Sequence, residues 1–136
     1  MFKLSIVTPE KIVYEGEVIS LIVPGVEGYL GVLSHHAPLI TALKTGKIEF
    51  QDGAHKLQIY AVSGGFMEVS SNHATLLADT AEHCEEIDVQ RAQTALERAQ
   101  QALNDRSRGG GAMSGTEIFE AFKRAENRLK IHKDTH

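Results

Sequence analysis

The spacing of apolar residues changes period once along this chain, and that change limits the fold more than any single motif does. Up to about residue 83 apolar residues alternate with polar ones. Phe2, Leu4 and Ile6 bracket Lys3 and Ser5; Val18 to Val23, Ile48-Glu49-Phe50, Leu57 to Ala61, Phe66 to Val69 and Ala74 to Leu77 follow. Turn residues separate these runs: Thr8-Pro9-Glu10, Gln51-Asp52-Gly53, Ser63-Gly64-Gly65 and Ser70-Ser71-Asn72. Short period-two runs at regular intervals predict an antiparallel β-sandwich, or flattened barrel. Asp52-Gly53 and Ser71-Asn72 are expected as hairpin connections.

From about residue 87 the period becomes helical. Ala92, Ala95, Leu96, Ala99, Ala102 and Leu103 share one helix face, with Asp88 placed to cap its start. A second helix is expected to begin near Ser114 to Thr116, with Ile118, Phe119, Phe122, Ala125 and Leu129 on its apolar face. Gly109-Gly110-Gly111 joins the two, so the C-terminal part reads as an antiparallel two-helix hairpin. The expected division is a β-sandwich over 1–84 and the hairpin over 85–136, with helices at about 88–105 and 115–131. About fifty residues of hairpin hold little core of their own, which makes them a candidate moving part.

Composition narrows the function classes. A net charge of −4 argues against general nucleic-acid binding. No apolar run reaches the roughly 18 residues of a membrane span, and the N-terminal residues turn polar too soon for a signal peptide. The single cysteine, Cys84, fits a reducing compartment; Glu82, Glu85 and Glu86 beside it are expected to raise its thiol pKa, which argues against catalysis.

Pro24 to Leu39 admits two readings, because Gly25, Gly28 and Gly31 recur every third residue. A phosphate cradle needs a glycine loop that opens a helix. Here the residues that follow, Val32 and Leu33, look extended and no Lys-Ser or Lys-Thr is present, so a structural corner is the better reading. Adjacent His35 and His36 would point in opposite directions on a strand and have no partners at ligand spacing, so no metal is expected there. The sharper constellation is Ile87-Asp88-Val89-Gln90-Arg91-Ala92, with Glu82 upstream, Arg98 two turns on, and Arg124 and Arg128 on the second helix. A helix hairpin can gather such guanidinium groups around a polyanion, while capped-helix geometry and ordinary surface pairs explain the same spacing.

Val7-Thr8-Pro9-Glu10, Pro24-Gly25 through Gly31-Val32-Leu33, His36-Ala37-Pro38-Leu39, Val62 to Phe66, Leu77-Ala78-Asp79, Ala81-Glu82 and Arg124-Ala125-x-Asn127-Arg128-Leu129 occur in an order that resembles the ε subunit of bacterial F-type ATP synthase along essentially the whole chain. Ser34 stands where that family often has proline, and the glycine insert at 109–111 looks longer than usual. The resemblance implies a non-catalytic rotor subunit of the central stalk, needing no cofactor. Its sandwich would dock on the γ subunit and the c-ring, and it would act in ATP synthesis driven by a proton gradient. Its hairpin would fold down or extend toward the catalytic β subunits and inhibit hydrolysis, with the basic residues Lys123, Arg124, Arg128, Lys130 and Lys133 facing acidic segments there. It further implies ATP as a regulatory ligand at Glu82, Ile87, Asp88, Arg91, Ala92, Arg98, Arg124 and Arg128. Glu27, Tyr29, Leu30 and His36 are the candidates for c-ring contact, and the place is the cytoplasmic face of the bacterial cell membrane, peripheral and without insertion. Two other classes compete: a free-standing module whose helices capture a partner without nucleotide, and a small nucleotide hydrolase, for which no nucleophile–base pair is evident.

Overall fold

The computed structural model describes residues 1–107 and 115–135, so the Gly109–Gly111 joint and Arg108 lie outside the described residues. The chain divides into two compact units, Met1–His83 and Cys84–His136.

The first unit holds seven strands: β1 (Phe2–Val7), β2 (Ile12–Gly25), β3 (Gly28–Val32), β4 (Leu39–Ala42), β5 (Gly46–Asp52), β6 (Leu57–Ser70) and β7 (His73–His83). Pairing runs β1-β7-β6-β5-β2-β3, and β1 also pairs β2, which closes β1, β7, β6, β5 and β2 into a ring. β3 extends from β2, and β4 extends from β6. The pairs are antiparallel except β1–β7, where the first strand of the chain lies parallel to the last. The alternation seen in sequence is the burial pattern: Phe2, Leu4, Ile6, Val18, Leu21, Val23, Ile48, Phe50, Met67, Val69, Ala74 and Leu76 fill one core. Tyr14 packs on Phe50 at 4.6 Å between ring centroids, and Phe50 stacks on Tyr60 at 5.8 Å.

One turn assignment needs correction. Ser63-Gly64-Gly65 does not separate two strands; β6 runs through it for 14 residues. Gly64 (φ 61°) and Gly65 (φ 108°) give the strand a sharp local bend while its register with β7 is kept, an arrangement a side chain resists. Asp52-Gly53 opens the β5–β6 hairpin connection, as expected. The loop runs to Lys56, with Asp52 Oδ1 accepting the N–H groups of Ala54 (2.9 Å) and Lys56 (3.0 Å) and with His55 taking the positive φ. These bonds, the Lys56 N–H foremost, lower the pKa of Asp52. Ser71-Asn72 is a two-residue turn with both φ values positive, as such hairpins require. Asn72 also bonds outward: its Oδ1 accepts the His35 N–H at 2.7 Å and its Nδ2 donates to the Met1 carbonyl at 3.1 Å.

The second unit opens with a helical turn, Cys84–Glu86, followed by α1 (Val89–Ser107) and α2 (Gly115–Thr135), which pack on each other. Ala92 and Ala99 are buried on α1, and Ile118, Ala125 and Ile131 on α2. Small residues on α1 let the helix axes come close. Phe119 does not join this face: it is half-exposed beneath Lys123, whose Nζ sits 5.3 Å from the ring centroid. Burial is the main cause of the raised Cys84 thiol pKa, with the Glu85 charge second, so the expected direction holds for a different leading reason.

Candidate functional site

Three groups of residues are candidates for function, and each is positioned by its backbone. The first is the start of α1. Asp88 Oδ1 accepts the Arg91 N–H at 3.0 Å and the Asp88 carbonyl accepts the Ala92 N–H at 2.9 Å, so Asp88 is the N-cap of the helix. Ile87 and Ala92 are buried on either side of that cap. Arg91 and Arg98 are exposed on α1, while Arg124 and Arg128 on α2 are half-buried. Glu82 belongs to the other unit, on β7, paired with Ala61.

The second group is the glycine corner. It is a β2–β3 hairpin with Val26-Glu27 as its turn and Gly28 at φ 133°, and no helix follows. Extended strand after the glycines removes the phosphate-cradle geometry. Glu27 and Tyr29 are exposed there. Tyr29 leans back over Pro24 and Gly46, and its hydroxyl accepts the Lys47 N–H at 3.4 Å. Leu30 is turned inward and packs against the core. His35 and His36 lie in the loop after β3, not on a strand: His35 has φ 63°, and His36 Nδ1 donates to the Ala37 carbonyl at 2.7 Å. Among the described residues no cluster of His, Cys, Asp or Glu has metal-site geometry.

The third group escaped the sequence reading. Register places Ile12, Val7, Leu77, Phe66 and Ala42 side by side across β2, β1, β7, β6 and β4. Ile40 follows two residues before Ala42 on β4. These residues face outward: Phe66 is 58% exposed, Leu77 56% and Ile40 74%, whereas Met67 and Leu76 one position away are fully buried. An apolar row spanning five strands is unusual for a surface that meets only water. The signal was present in Phe66-Met67 and Leu76-Leu77, apolar pairs that occupy both phases of a strand at once.

A closed β-sandwich followed by an antiparallel helix pair defines the class of this chain. A family profile described as "ATP synthase, Delta/Epsilon chain, beta-sandwich domain" matches residues 1–84, and one described as "ATP synthase, Delta/Epsilon chain, long alpha-helix domain" matches residues 85–133. The ATP synthase epsilon chain of Desulforamulus reducens is 45% identical over 128 residues, covering 94% of each chain. That of Moorella thermoacetica is 45% identical over 127 residues, covering 93% of this chain and 92% of its own. The chain therefore belongs to the ATP synthase delta/epsilon family and is a non-catalytic subunit. In fold it is similar to a chain in the Euglena gracilis mitochondrial ATP synthase structure, with a TM-score of 0.74 at 21% identity, covering 98% of this chain and 80% of that one. Among the described residues no helix is long and apolar enough to cross a membrane.

Proposed function

We propose that this chain works in the central stalk of an F-type ATP synthase, peripheral to the cytoplasmic face of a bacterial cell membrane. There it couples the catalytic head to the c-ring during ATP synthesis driven by a proton gradient, and its helix pair restrains ATP hydrolysis. The observation that carries the docking half is the five-strand apolar row around Phe66 and Leu77, which needs an apolar partner and suits the γ subunit. The glycine corner, with Glu27 and Tyr29 exposed, lies on a different hairpin and suits the c-ring.

The regulatory half rests on Ile87-Asp88-x-x-Arg91-Ala92 and the arginines of α2. ATP bound at the folded helix pair favours that state over an extended one that reaches the catalytic β subunits. A ligand at a hundredfold excess over its Kd shifts such an equilibrium by about 2.7 kcal/mol. Complete reversal from 1:99 to 99:1 needs about 5.5 kcal/mol, so ATP acts as a bias on inhibition.

The test takes both halves together. The full chain is mixed with purified γ, with Phe66→Ser/Leu77→Ser as the variant, and ATP affinity is compared between wild type and Arg91→Ala. Loss of γ binding in the double variant and weaker ATP binding in the Arg91 variant are expected. Intact γ binding would remove the row from the interface, and equal ATP affinity would remove Arg91 from the site. Failure to bind γ by the wild type would favour a free-standing binding module.

A further inference from the structure

The free edge of β3 carries an inference that rests on the c-ring reading of the corner and goes further by naming how contact is made. The β2–β3 ladder pairs Gly25 with Gly28, Val23 with Leu30 and Leu21 with Val32 around a two-residue turn. Antiparallel pairs alternate between hydrogen-bonded and non-hydrogen-bonded positions, and the pair flanking the turn is hydrogen-bonded. Tyr29 and Gly31 therefore occupy the other positions, and their N–H and C=O groups point away from β2. Pro24, opposite Tyr29, is consistent with this, since it has no N–H to give. Among the described residues β3 pairs with no second strand.

Natural edge strands are usually guarded by charge, proline or a bulge. Gly28-Tyr29-Leu30-Gly31-Val32 has none of these. Nor does anything inside the chain explain Gly31: its φ is not positive, and a Cβ there would meet nothing within 4 Å. The glycine leaves a bare stretch of backbone between the exposed side chains of Tyr29 and Leu33, with Ile22 as its neighbour on β2. Because the Tyr29 ring is drawn back over Pro24 and Gly46, it does not cover that edge.

We infer that the Tyr29–Gly31 edge is a main-chain docking site that takes a short extended loop segment of the c-ring subunit by strand addition. Length selects the occupant. Only two residues point their backbone groups outward, bounded by the Val26-Glu27 turn on one side and the turn closed by His36 N–H to the Leu33 carbonyl (3.2 Å) on the other. That length fits a loop, and it buries far less than the roughly 1,200 Å² of a stable interface with a second copy of the chain. Glu27 at the end of the strand favours a cationic or neutral residue beside the segment.

The test compares the full chain alone with the chain bound to a γ–c-ring complex in detergent. In the free chain the amides of Tyr29 and Gly31 should exchange fast while those of Leu30 and Val32 are protected. Binding to the ring should protect Tyr29 and Gly31. Gly31→Pro removes one outward N–H and none of the β2–β3 bonds, so it should bind the γ–c-ring complex about tenfold more weakly, with unchanged affinity for γ alone. Unprotected amides in a wild-type complex that does bind the ring, or equal affinity of the proline variant, would overturn the inference and leave the ring reading standing. Should the ring add no affinity over γ alone, the ring reading fails and the inference with it. Protection that rises with the concentration of the free chain would assign the edge to a second copy, against the inference.

Discussion

Two adjacent glycines in one strand should respond very differently to the same methyl group. At Gly64 the φ of 61° is the left-handed region, and an added Cβ meets the carboxylate of Asp79, an exposed side chain that can swing aside. The left-handed conformation costs an alanine about 1–2 kcal/mol. The stiffer unfolded chain returns about 0.4–1 kcal/mol of that. The net loss for Gly64→Ala is then about 1 kcal/mol. At Gly65 the φ of 108° lies outside even the left-handed well, and an added Cβ overlaps the Leu77 carbonyl and the backbone of Ala78. Here the obstacle is the neighbouring strand, fixed in register from Tyr60↔His83 to Ser70↔His73. Backbone strain of about 1–3 kcal/mol adds to the parting of the β6–β7 ladder at its centre. Each buried bond lost in that way costs about 1–3 kcal/mol. Gly65→Ala should therefore lose about 4 kcal/mol, a large part of the 5–15 kcal/mol that holds a typical domain.

The chain supplies its own probe for this comparison. It has no tryptophan, and its three tyrosines, Tyr14, Tyr29 and Tyr60, all lie in the sandwich. Tyrosine fluorescence thus follows that unit without interference from the helices. With roughly 4–8 °C lost per kcal/mol in a domain of this size, the Gly64 variant should melt about 5 °C lower and the Gly65 variant about 20 °C lower. Equal shifts would mean that the β6–β7 ladder yields to a methyl group, and the account of the bend would be wrong.

Three further outcomes follow from the same structure. Asp88→Ala removes the cap on the Arg91 N–H and should cost α1 about 1 kcal/mol, read as an earlier loss of helical circular dichroism; no change would mean that another group serves as the cap. Phe66→Ser/Leu77→Ser should leave the melting temperature of the isolated chain within a few degrees, because both side chains are exposed already; a large drop would show that the row is covered in the free subunit. The pKa of Asp52 is lowered in the fold, so its contribution is present above about pH 4 and lost as pH falls through the folded-state value. Asp52→Asn should flatten that acid limb of a stability–pH profile, and parallel profiles for variant and wild type would remove Asp52 as its cause.

Local periodicity carried both units and both helices, because each element buries one face and the buried face repeats. What it could not carry was chain path. Ser63-Gly64-Gly65 has the composition of a turn and is a bend inside a strand, since only the β7 backbone alongside decides whether positive φ reverses the chain. The outward row at Phe66 and Leu77 escaped notice for a similar reason: apolar residues in both strand phases do not reveal which phase points inward. The start of α1 was legible to the residue, as Asp88 acts through bonds only three and four positions away. Phe119 was assigned to the apolar face because it neighbours Ile118 and Phe122 in helical phase, yet it lies half-exposed under Lys123.

Burial also decides how much a ligand can do. The helix pair buries Ile118 and Ile131 from α2, but α1 answers chiefly with Ala92 and Ala99. A buried methyl group is worth about 0.8 kcal/mol, against about 1.5–3 kcal/mol for a whole isoleucine side chain. The α1 side of the contact is therefore thin, and small changes move its equilibrium. A shift of about 2.7 kcal/mol, the size given above for the proposed nucleotide, is comparable to one buried isoleucine. The sandwich core, which runs from Phe2 to Ala78, holds many such side chains and would stay folded under the same shift. Under the proposed regulation, Ile131→Ala should imitate nucleotide loss, weakening the helix pair without touching any arginine. Its effect on inhibition of ATP hydrolysis should thus be an increase at fixed ATP, and a decrease would place the inhibitory state in the packed pair instead of the extended one.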